Sequence, residues 1–197
     1  MSPGTLAIAD LKVRCILQRD LKTLWEIEQA LPGLRWSLED FRTVFQFPET
    51  GGVVAEMVDR LIGFLIYRVT WQLEPPWSGQ VHGPEAPFQK EGRKQVNQPL
   101  HISLLNLGVT PDWHRRGIAR ALLERINQKL KQPQDWIQAT VPESNLPVQL
   151  LLRSAGFKGK RVLRGYYGNE DGYLMESSLC GETAKRHGIT DDTTYPR

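Results

Sequence analysis

The chain has 197 residues, of which 40% are hydrophobic and 24% are charged, and this balance suits one globular domain with a substantial core. A net charge of +3 is too small to indicate a nucleic-acid-binding protein, and no apolar run approaches the length of a membrane span. The two cysteines, Cys15 and Cys180, share no metal-ligand spacing. Since the N-terminus lacks the build of a signal peptide, we expect a cytoplasmic protein in which Cys15 is a small buried residue.

The hydrophobic pattern predicts, in chain order, one strand, two helices, three strands, a helix, a strand, a helix and two final strands. The second helix begins at Ser37, a typical N-cap residue, with Asp40 three positions later. Residues 48–52 are predicted to form a turn, and Asp59-Arg60 a tight hairpin connection. The predicted strands span 13–17, 53–58, 61–69, 100–109, 136–141, 157–164 and 173–179, and the predicted helices span 21–31, 37–45, 116–131 and 146–155.

This order predicts an α/β domain with a mixed sheet and helices on both faces. The fourth strand is mostly apolar, which is typical of a central strand buried on both faces. The stretch 71–100 contains five prolines and is predicted to form a long loop. The polar residues 181–197 are predicted to form a flexible tail.

The helix after the fourth strand opens with a basic turn that contains glycine. The first N–H groups of a helix lack intrahelical partners and carry partial positive charge. Small residues let an anion approach that backbone, and arginines add charge, so the sequence predicts a cradle for a pyrophosphate. Neither the Gly-x-Gly-x-x-Gly pattern of a dinucleotide fold nor the Gly-Lys-Ser/Thr of a P-loop is present. The cradle residues are Arg115, Arg116, Gly117, Ile118, Ala119 and Arg120.

The run from His114 to Ala119 resembles the Gln/Arg-x-x-Gly-x-Gly/Ala motif of the GNAT acetyltransferase superfamily, with His114 in place of Gln or Arg. A second run, Asn145 followed by residues 150–157, resembles the other family signature, whose Asn contacts the pantetheine arm. The resemblance implies the GNAT fold over residues 13–179, with a mostly antiparallel sheet of six to seven strands. It also implies acetyl-CoA as co-substrate on His114 and the cradle residues, the Leu107 backbone as donor to the oxyanion, and Val109 beside the pantetheine and pyrophosphate. From the residues alone, a plain helix N-cap remains the alternative for Asn145.

Three further segments, at 34–42, 105–109 and 164–167, resemble bacterial ribosomal-protein alanine N-acetyltransferases and N-terminal acetyltransferases. Paired tyrosines help to hold the substrate's N-terminus in those relatives, and the resemblance implies this role for Tyr166 and Tyr167. Simple aromatic packing at a hairpin is the alternative for both residues.

The chain departs from these relatives at the positions that handle protons. The fifth-strand Glu of the ribosomal enzymes aligns with Thr140, and the fourth-strand Glu of histone-type relatives aligns near Ser103. The Tyr that protonates the departing thiolate aligns with Leu152. An α-amine titrates near about 7.7 to 8.0, whereas a lysine amine titrates near about 10.4. The missing glutamates therefore favour an α-amine as the acceptor.

His101 is the first candidate for the general base, because histidine titrates near neutrality. Alternation along the strand is predicted to place it on one face with Ser103, Leu105 and Leu107. A merely solvated histidine is the alternative. Two further candidates are Glu143, beside the acyl site, and Glu28 on the first helix.

The resemblance implies an acetyl-CoA-dependent N-acetyltransferase, and since no cysteine is placed to form a covalent acyl intermediate, we expect direct transfer in a ternary complex. The resemblance implies a protein or peptide N-terminal amine as the acceptor. A small-molecule amine and a non-catalytic acyl-CoA sensor are the alternatives, and the absent Tyr and Glu residues favour the sensor. No metal, nucleic acid or membrane partner is expected, and the protein is expected to be a monomer or a homodimer.

Overall fold

Strands and helices follow one another along the chain in the predicted order. The structure is a computed structural model that describes residues 10–33, 35–71 and 99–178. Most of the predicted loop 71–100, the predicted tail 181–197, Leu34 and Cys180 lie outside these ranges. The helices are α1 (Leu21–Gln29), α2 (Leu38–Val44), α3 (Ile118–Asn127) and α4 (Leu146–Ser154). The strands are β1 (Lys12–Cys15), β2 (Thr50–Met57), β3 (Arg60–Trp71), β4 (Leu100–Val109), β5 (Trp136–Pro142), β6 (Lys158–Leu163) and β7 (Gly172–Ser178).

The strands form one sheet in the order β1-β2-β3-β4-β5-β7-β6. Each neighbouring pair is antiparallel except β4 and β5, which run parallel. The sheet is therefore mixed and mostly antiparallel, with β4 at its centre, and the predicted α/β class is confirmed.

Helices cover both faces of the sheet, and each face has its own apolar cluster. On the α1 side, Leu24, Ile27 and Phe41 pack against strand residues such as Phe64 and Ile66. The α3 side holds the larger cluster, in which α3 and α4 contribute Ile118, Leu122, Leu123, Ile126 and Leu152 and the strands contribute Val53, Ala55, Leu65, Ile102 and Ile137.

Glycines inside β2 explain why the predicted turn at 48–52 is wrong in its second half. β2 already begins at Thr50, and Gly51 and Gly52 pair with β3. A Cβ on Gly51 would lie 2.6 Å from the Tyr67 ring, and one on Gly52 would lie 2.2 Å from Ile16. These glycines therefore permit close packing within the sheet instead of a chain reversal.

Two smaller expectations need correction. The hairpin between β2 and β3 turns through Val58 and Asp59, whose φ angles are 48° and 58°, one residue earlier than predicted. Cys15 is exposed rather than buried, because it ends the edge strand β1 and its neighbour Ile16 packs inward instead. The predicted cap of α2 is confirmed, since the Ser37 hydroxyl accepts the Asp40 N–H at 3.1 Å.

Candidate active site

An opening lies where β4 and β5 separate. His101–Leu104 of β4 pair with Trp136–Ala139 of β5, and the pairing ends there. The register between β3 and β4 skips Leu105, so β4 carries a bulge at this residue. A bulge bends a strand, and the edge of β4 that faces β5 is without a ladder partner beyond Leu104 in the described chain. We call the space between residues 105–109 and residues 140–142 the β4–β5 opening.

The bulge also changes which side chains share a face. Leu105 packs with the α1-side cluster, whereas Leu104 and Leu107 pack with the α3-side cluster. The prediction that Leu107 shares a face with His101 is therefore wrong, since simple alternation does not hold across a bulge. What Leu107 presents to the opening is its backbone.

Helix α3 begins at one end of this opening, and its first turn presents backbone N–H groups. Its N-cap is Gly117, with φ of 82° and no side-chain cap. Arg115 also has a positive φ, of 59°, whereas Arg116 does not. Backbone that alternates in this way forms a concave set of N–H groups that suits an anion. A Cβ on Gly117 would meet nothing within 4 Å, so the space beside it is open.

The basic side chains of this turn are exposed and differ in their contacts. The Arg116 guanidinium lies over the Trp113 ring at 5.0 Å, and Arg120 pairs with Glu124 at 3.1 Å in the next turn of α3. Arg115 is exposed beside them. The turn therefore adds positive charge to the partial charge at the helix start.

His114 and two of the cradle residues, Ile118 and Ala119, attach the turn to the domain. The His114 Nε2 lies 2.6 Å from the Val109 carbonyl oxygen, which ties the turn to the end of β4. The Ile118 side chain is buried in the α3-side cluster, and Ala119 packs against that cluster. Ile118 thus offers only its backbone to a ligand.

Helix α4 begins on the other side of the opening. Asn145 is its N-cap, with the side-chain oxygen accepting the Val148 N–H at 3.3 Å. The capping role is therefore confirmed, and contact with pantetheine stays a prediction. Leu152, at the position of the relatives' Tyr, is 1% exposed within the α3-side cluster. No hydroxyl from this position reaches the opening.

His101 is enclosed in the sheet, so the solvated alternative is wrong. Its Nδ1 lies 2.8 Å from the Thr70 hydroxyl and its Nε2 lies 3.3 Å from the Ser103 hydroxyl. The ring stacks on Trp136 at 4.8 Å and is 3% exposed. Burial lowers the pKa of His101 to about 4, so the ring is neutral at physiological pH. These contacts hold the histidine within the sheet.

The paired tyrosines lie in the turn between β6 and β7, at the end of β5. The Tyr167 hydroxyl donates to the Thr140 carbonyl oxygen at 2.9 Å, and the two rings meet edge to face at 4.9 Å. Burial raises the pKa of Tyr167 to about 12, so the hydroxyl stays a donor. The Glu170 carboxylate accepts the Ser144 N–H and ties the same turn to the β5 end. A role for the tyrosines in holding a substrate stays a prediction.

The two candidate carboxylates differ in their surroundings. Glu143 is exposed in the turn before α4, where its carboxylate accepts the Tyr173 hydroxyl at 3.3 Å. Glu28 is 4% exposed at the end of α1. Its Oε1 accepts the Trp36 N–H at 3.1 Å and the Asn106 Nδ2 at 3.2 Å. Burial raises the pKa of Glu28.

From the sequence alone, Asn106 has no predicted role and Glu28 ranks behind His101 as a candidate base. Both residues carry a signal in the sequence: Glu28 lies at helical spacing on the apolar face of α1, and Asn106 is a polar residue within the apolar strand β4. A buried carboxylate needs a hydrogen-bond partner, and the half-buried Asn106 supplies one for Glu28.

The described residues show neither a metal-binding group nor a membrane-spanning helix. No three side chains of His, Cys, Asp or Glu in these ranges are grouped so that they could hold a metal ion. No helix among them has the length and apolar character needed to cross a membrane.

Comparison with known proteins agrees with this arrangement. Residues 21–157 match the acetyltransferase (GNAT) family. Over 134 residues, the chain is 28% identical to the ribosomal protein bS18-alanine N-acetyltransferase of Salmonella typhimurium. This match covers 53% of this chain and 86% of that protein. Over 135 residues, the chain is 29% identical to an N-alpha-acetyltransferase of Sulfurisphaera tokodaii, which covers 66% and 71% of the two chains.

The fold is also similar to that of a known acetyltransferase. The crystal structure of Arabidopsis thaliana NAA60 in complex with acetyl-CoA superposes with a TM-score of 0.68 and 22% identity, over 86% of this chain and 98% of that chain. The family match spans most of the chain, and the strand separation and helix start described above lie within it. The chain therefore belongs to the acetyltransferase (GNAT) family, which confirms the resemblance and the class of enzyme predicted from its sequence.

Proposed function

We propose that this protein transfers an acetyl group from acetyl-CoA to the α-amine at the N-terminus of a protein or peptide. The observation that carries the proposal is the start of α3, with its uncapped N–H groups, placed at the end of the β4–β5 opening. Family membership and relatives named for acetylation of ribosomal protein alanine and N-alpha positions support it.

The residues at this helix start fit the diphosphate of coenzyme A. Backbone N–H groups at residues 117–119 carry partial positive charge, and the exposed Arg115 and Arg116 add full charges. Gly117 leaves room for close approach of an anion to the backbone. Acetyl-CoA supplies the activated acetyl group, and the free edge of β4 offers backbone groups to the thioester carbonyl.

The acceptor side favours an α-amine over a lysine amine. Thr140 and Ser103 stand where relatives have a carboxylate, and burial holds His101 neutral with a pKa of about 4. An α-amine with a pKa near about 7.7 to 8.0 is partly neutral at physiological pH, whereas a lysine amine near about 10.4 is almost fully charged. Weak proton acceptance is enough for the first amine and not for the second.

Two peptides of the same sequence test this choice. One has a free N-terminus and an acetylated internal lysine, and the other has a blocked N-terminus and a free internal lysine. With acetyl-CoA and a thiol reagent, we expect coenzyme A release and a mass gain of one acetyl group only with the first peptide. Acetylation of the second peptide alone would overturn the α-amine assignment.

The same assay separates the alternatives. Turnover with small amines and none with any peptide would favour a small-molecule acetyltransferase. Binding of acetyl-CoA without coenzyme A release on any amine would favour a sensor, which the hydrophobic Leu152 at the relatives' Tyr position supports.

A further inference from the structure

We infer that Glu28 is the general base of the acetyl transfer, accepting the proton of the acceptor amine directly or through one water. This inference rests on the proposed function and assigns a catalytic residue to it.

Glu28 lies where three elements meet at the β4–β5 opening. It belongs to the last residues of α1, binds the N–H of Trp36 in the segment before α2, and binds the side chain of Asn106 in β4. Asn106 is the first residue of β4 after the bulge, and by then β4 has parted from β5. The carboxyl group is therefore one side chain away from the free edge of β4, where the thioester carbonyl would lie.

The surroundings of Glu28 suit a proton acceptor. Burial raises the pKa of Glu28, which makes its carboxylate a stronger base than an exposed one, and the two hydrogen bonds from Trp36 and Asn106 favour its charged form. Both of those bonds end on Oε1, so within the described contacts the second oxygen is left to accept a proton. Arg35, in the segment before α2, attracts the carboxylate and lowers its pKa, as the two hydrogen bonds do. No Lys, Arg or His side chain among the described residues lies within ion-pair distance of Glu28.

The other groups near the opening are poorer acceptors. His101 has a pKa of about 4 and hydroxyl partners at both ring nitrogens. Tyr167 has a pKa of about 12, and its hydroxyl donates a hydrogen bond to a backbone carbonyl. Glu143 is exposed and lies in the turn before α4. Thr140 and Ser103 carry only hydroxyls.

The step balances in atoms and charge. Glu28 takes one proton from the acceptor ammonium, which leaves a neutral amine. The amine nitrogen forms a C–N bond to the thioester carbonyl carbon, and the C–S bond breaks with its electron pair going to sulfur. The second amine proton ends on that sulfur, which gives the thiol of coenzyme A, and Glu28 releases its proton to water.

Glu28→Gln tests this role with little change of shape, because the amide oxygen can still accept from Trp36 and Asn106. Glu26→Gln is the control, since Glu26 is on the same helix, 53% exposed at its side chain and paired with Lys22 at 4.0 Å. With the free-N-terminus peptide at pH 6.5, we expect Glu28→Gln to lower kcat by about 100-fold and Glu26→Gln to leave it unchanged. The defect shrinks as the pH passes about 8, because the amine is then largely neutral without help.

A purely structural Glu28 would give a different result. A change in the shape of the β4–β5 opening would lower kcat/KM by the same factor at every pH. That outcome overturns the inference, and so does unchanged activity in Glu28→Gln. Absence of transfer by the unaltered protein would instead overturn the proposed function.

A second measurement needs no variant and covers the case in which Glu28→Gln does not fold. The pH dependence of kcat/KM is compared for two peptides whose N-terminal amines differ in pKa. If Glu28 is the base, the acid limb of both profiles lies at one enzyme pKa well below that of either amine. An acid limb that follows the pKa of the amine would mean that no enzyme base acts.

Discussion

The β4–β5 opening has two proposed walls, one for the cofactor and one for the acceptor, and they are built in different ways. The cofactor wall is one contiguous run, residues 114–120, whose useful groups are backbone N–H groups and exposed arginines. The acceptor wall is assembled from separate elements: Glu28 from α1, Asn106 from β4 and Tyr167 from the turn between β6 and β7. A helix start is set by local sequence, whereas paired side chains depend on how distant segments pack. The first wall is thus readable from a motif, and the second only from the fold.

The largest expected effect breaks the cofactor wall alone. Gly117→Glu places a carboxylate at the helix start, where it repels the diphosphate by about 1 to 4 kcal/mol for each close charge pair. We expect affinity for acetyl-CoA, measured by calorimetry, to fall by at least about 100-fold.

Gly168→Glu is the matched control for that variant. Gly168 has φ of 79° and, like Gly117 at 82°, would place a Cβ with no neighbour within 4 Å. Both variants thus add the same charge and similar backbone strain, and only one adds them to the cofactor wall. Equal acetyl-CoA affinities in the two variants would contradict the role of the α3 start.

The next largest effect concerns His101, which we do not place in the acceptor wall. A pKa lowered from 6.5 to about 4 means that the folded state resists protonation of His101. The corresponding stability, about 3 kcal/mol, is present above pH 6.5 and is lost as the pH falls toward about 4. We expect His101→Phe, which can still stack on Trp136, to lack this loss in urea unfolding at pH 4 to 6.5.

Comparing His101→Phe with the unaltered protein isolates the contribution of His101 to the pH dependence of stability. The raised pKa of Glu28 makes stability fall as the pH rises, and it does so in both proteins. We also expect His101→Phe to keep acetyl transfer above pH 7. Loss of turnover in a folded variant would place His101 in the acceptor wall after all.

The smallest effect concerns Tyr167. Tyr167→Phe removes one hydrogen bond to the Thr140 carbonyl, which should lower the free energy of unfolding by about 0.5 to 1.5 kcal/mol. If the turn helps to hold the peptide, KM for the peptide rises several-fold while the affinity for acetyl-CoA stays the same. A fall in acetyl-CoA affinity instead would show that the two walls are not separate in the way described.

The sequence predicted the elements whose signals are local. The order of strands and helices, the central place of β4, the Ser37 cap and the basic turn before α3 all follow from patterns within a few residues. The predictions from sequence were wrong where contacts between distant segments determine the local structure. The bulge at Leu105 moves Leu107 to the other face, and the glycines of β2 serve contacts with Tyr67 and Ile16.

The acceptor wall shows the same limit. Periodicity marks Glu28 as a charged residue on an apolar helix face, but its partner Asn106 is 78 positions away in the chain. His101 was favoured by its ordinary pKa, and only the packing of Thr70, Ser103 and Trp136 around it shows that this pKa is lowered.

The most direct test of the central claim compares acetyl-CoA with acetyl-pantetheine, which carries the same thioester and lacks the diphosphate together with its adenosine 3′-phosphate. The Gly117→Glu variant, which alters only the start of α3, shows how much of the difference belongs to the diphosphate. The α3 start is expected to hold the diphosphate, so calorimetry should detect tight binding of acetyl-CoA and binding of acetyl-pantetheine weaker by at least about 100-fold. Equal affinities for the two thioesters would contradict the account.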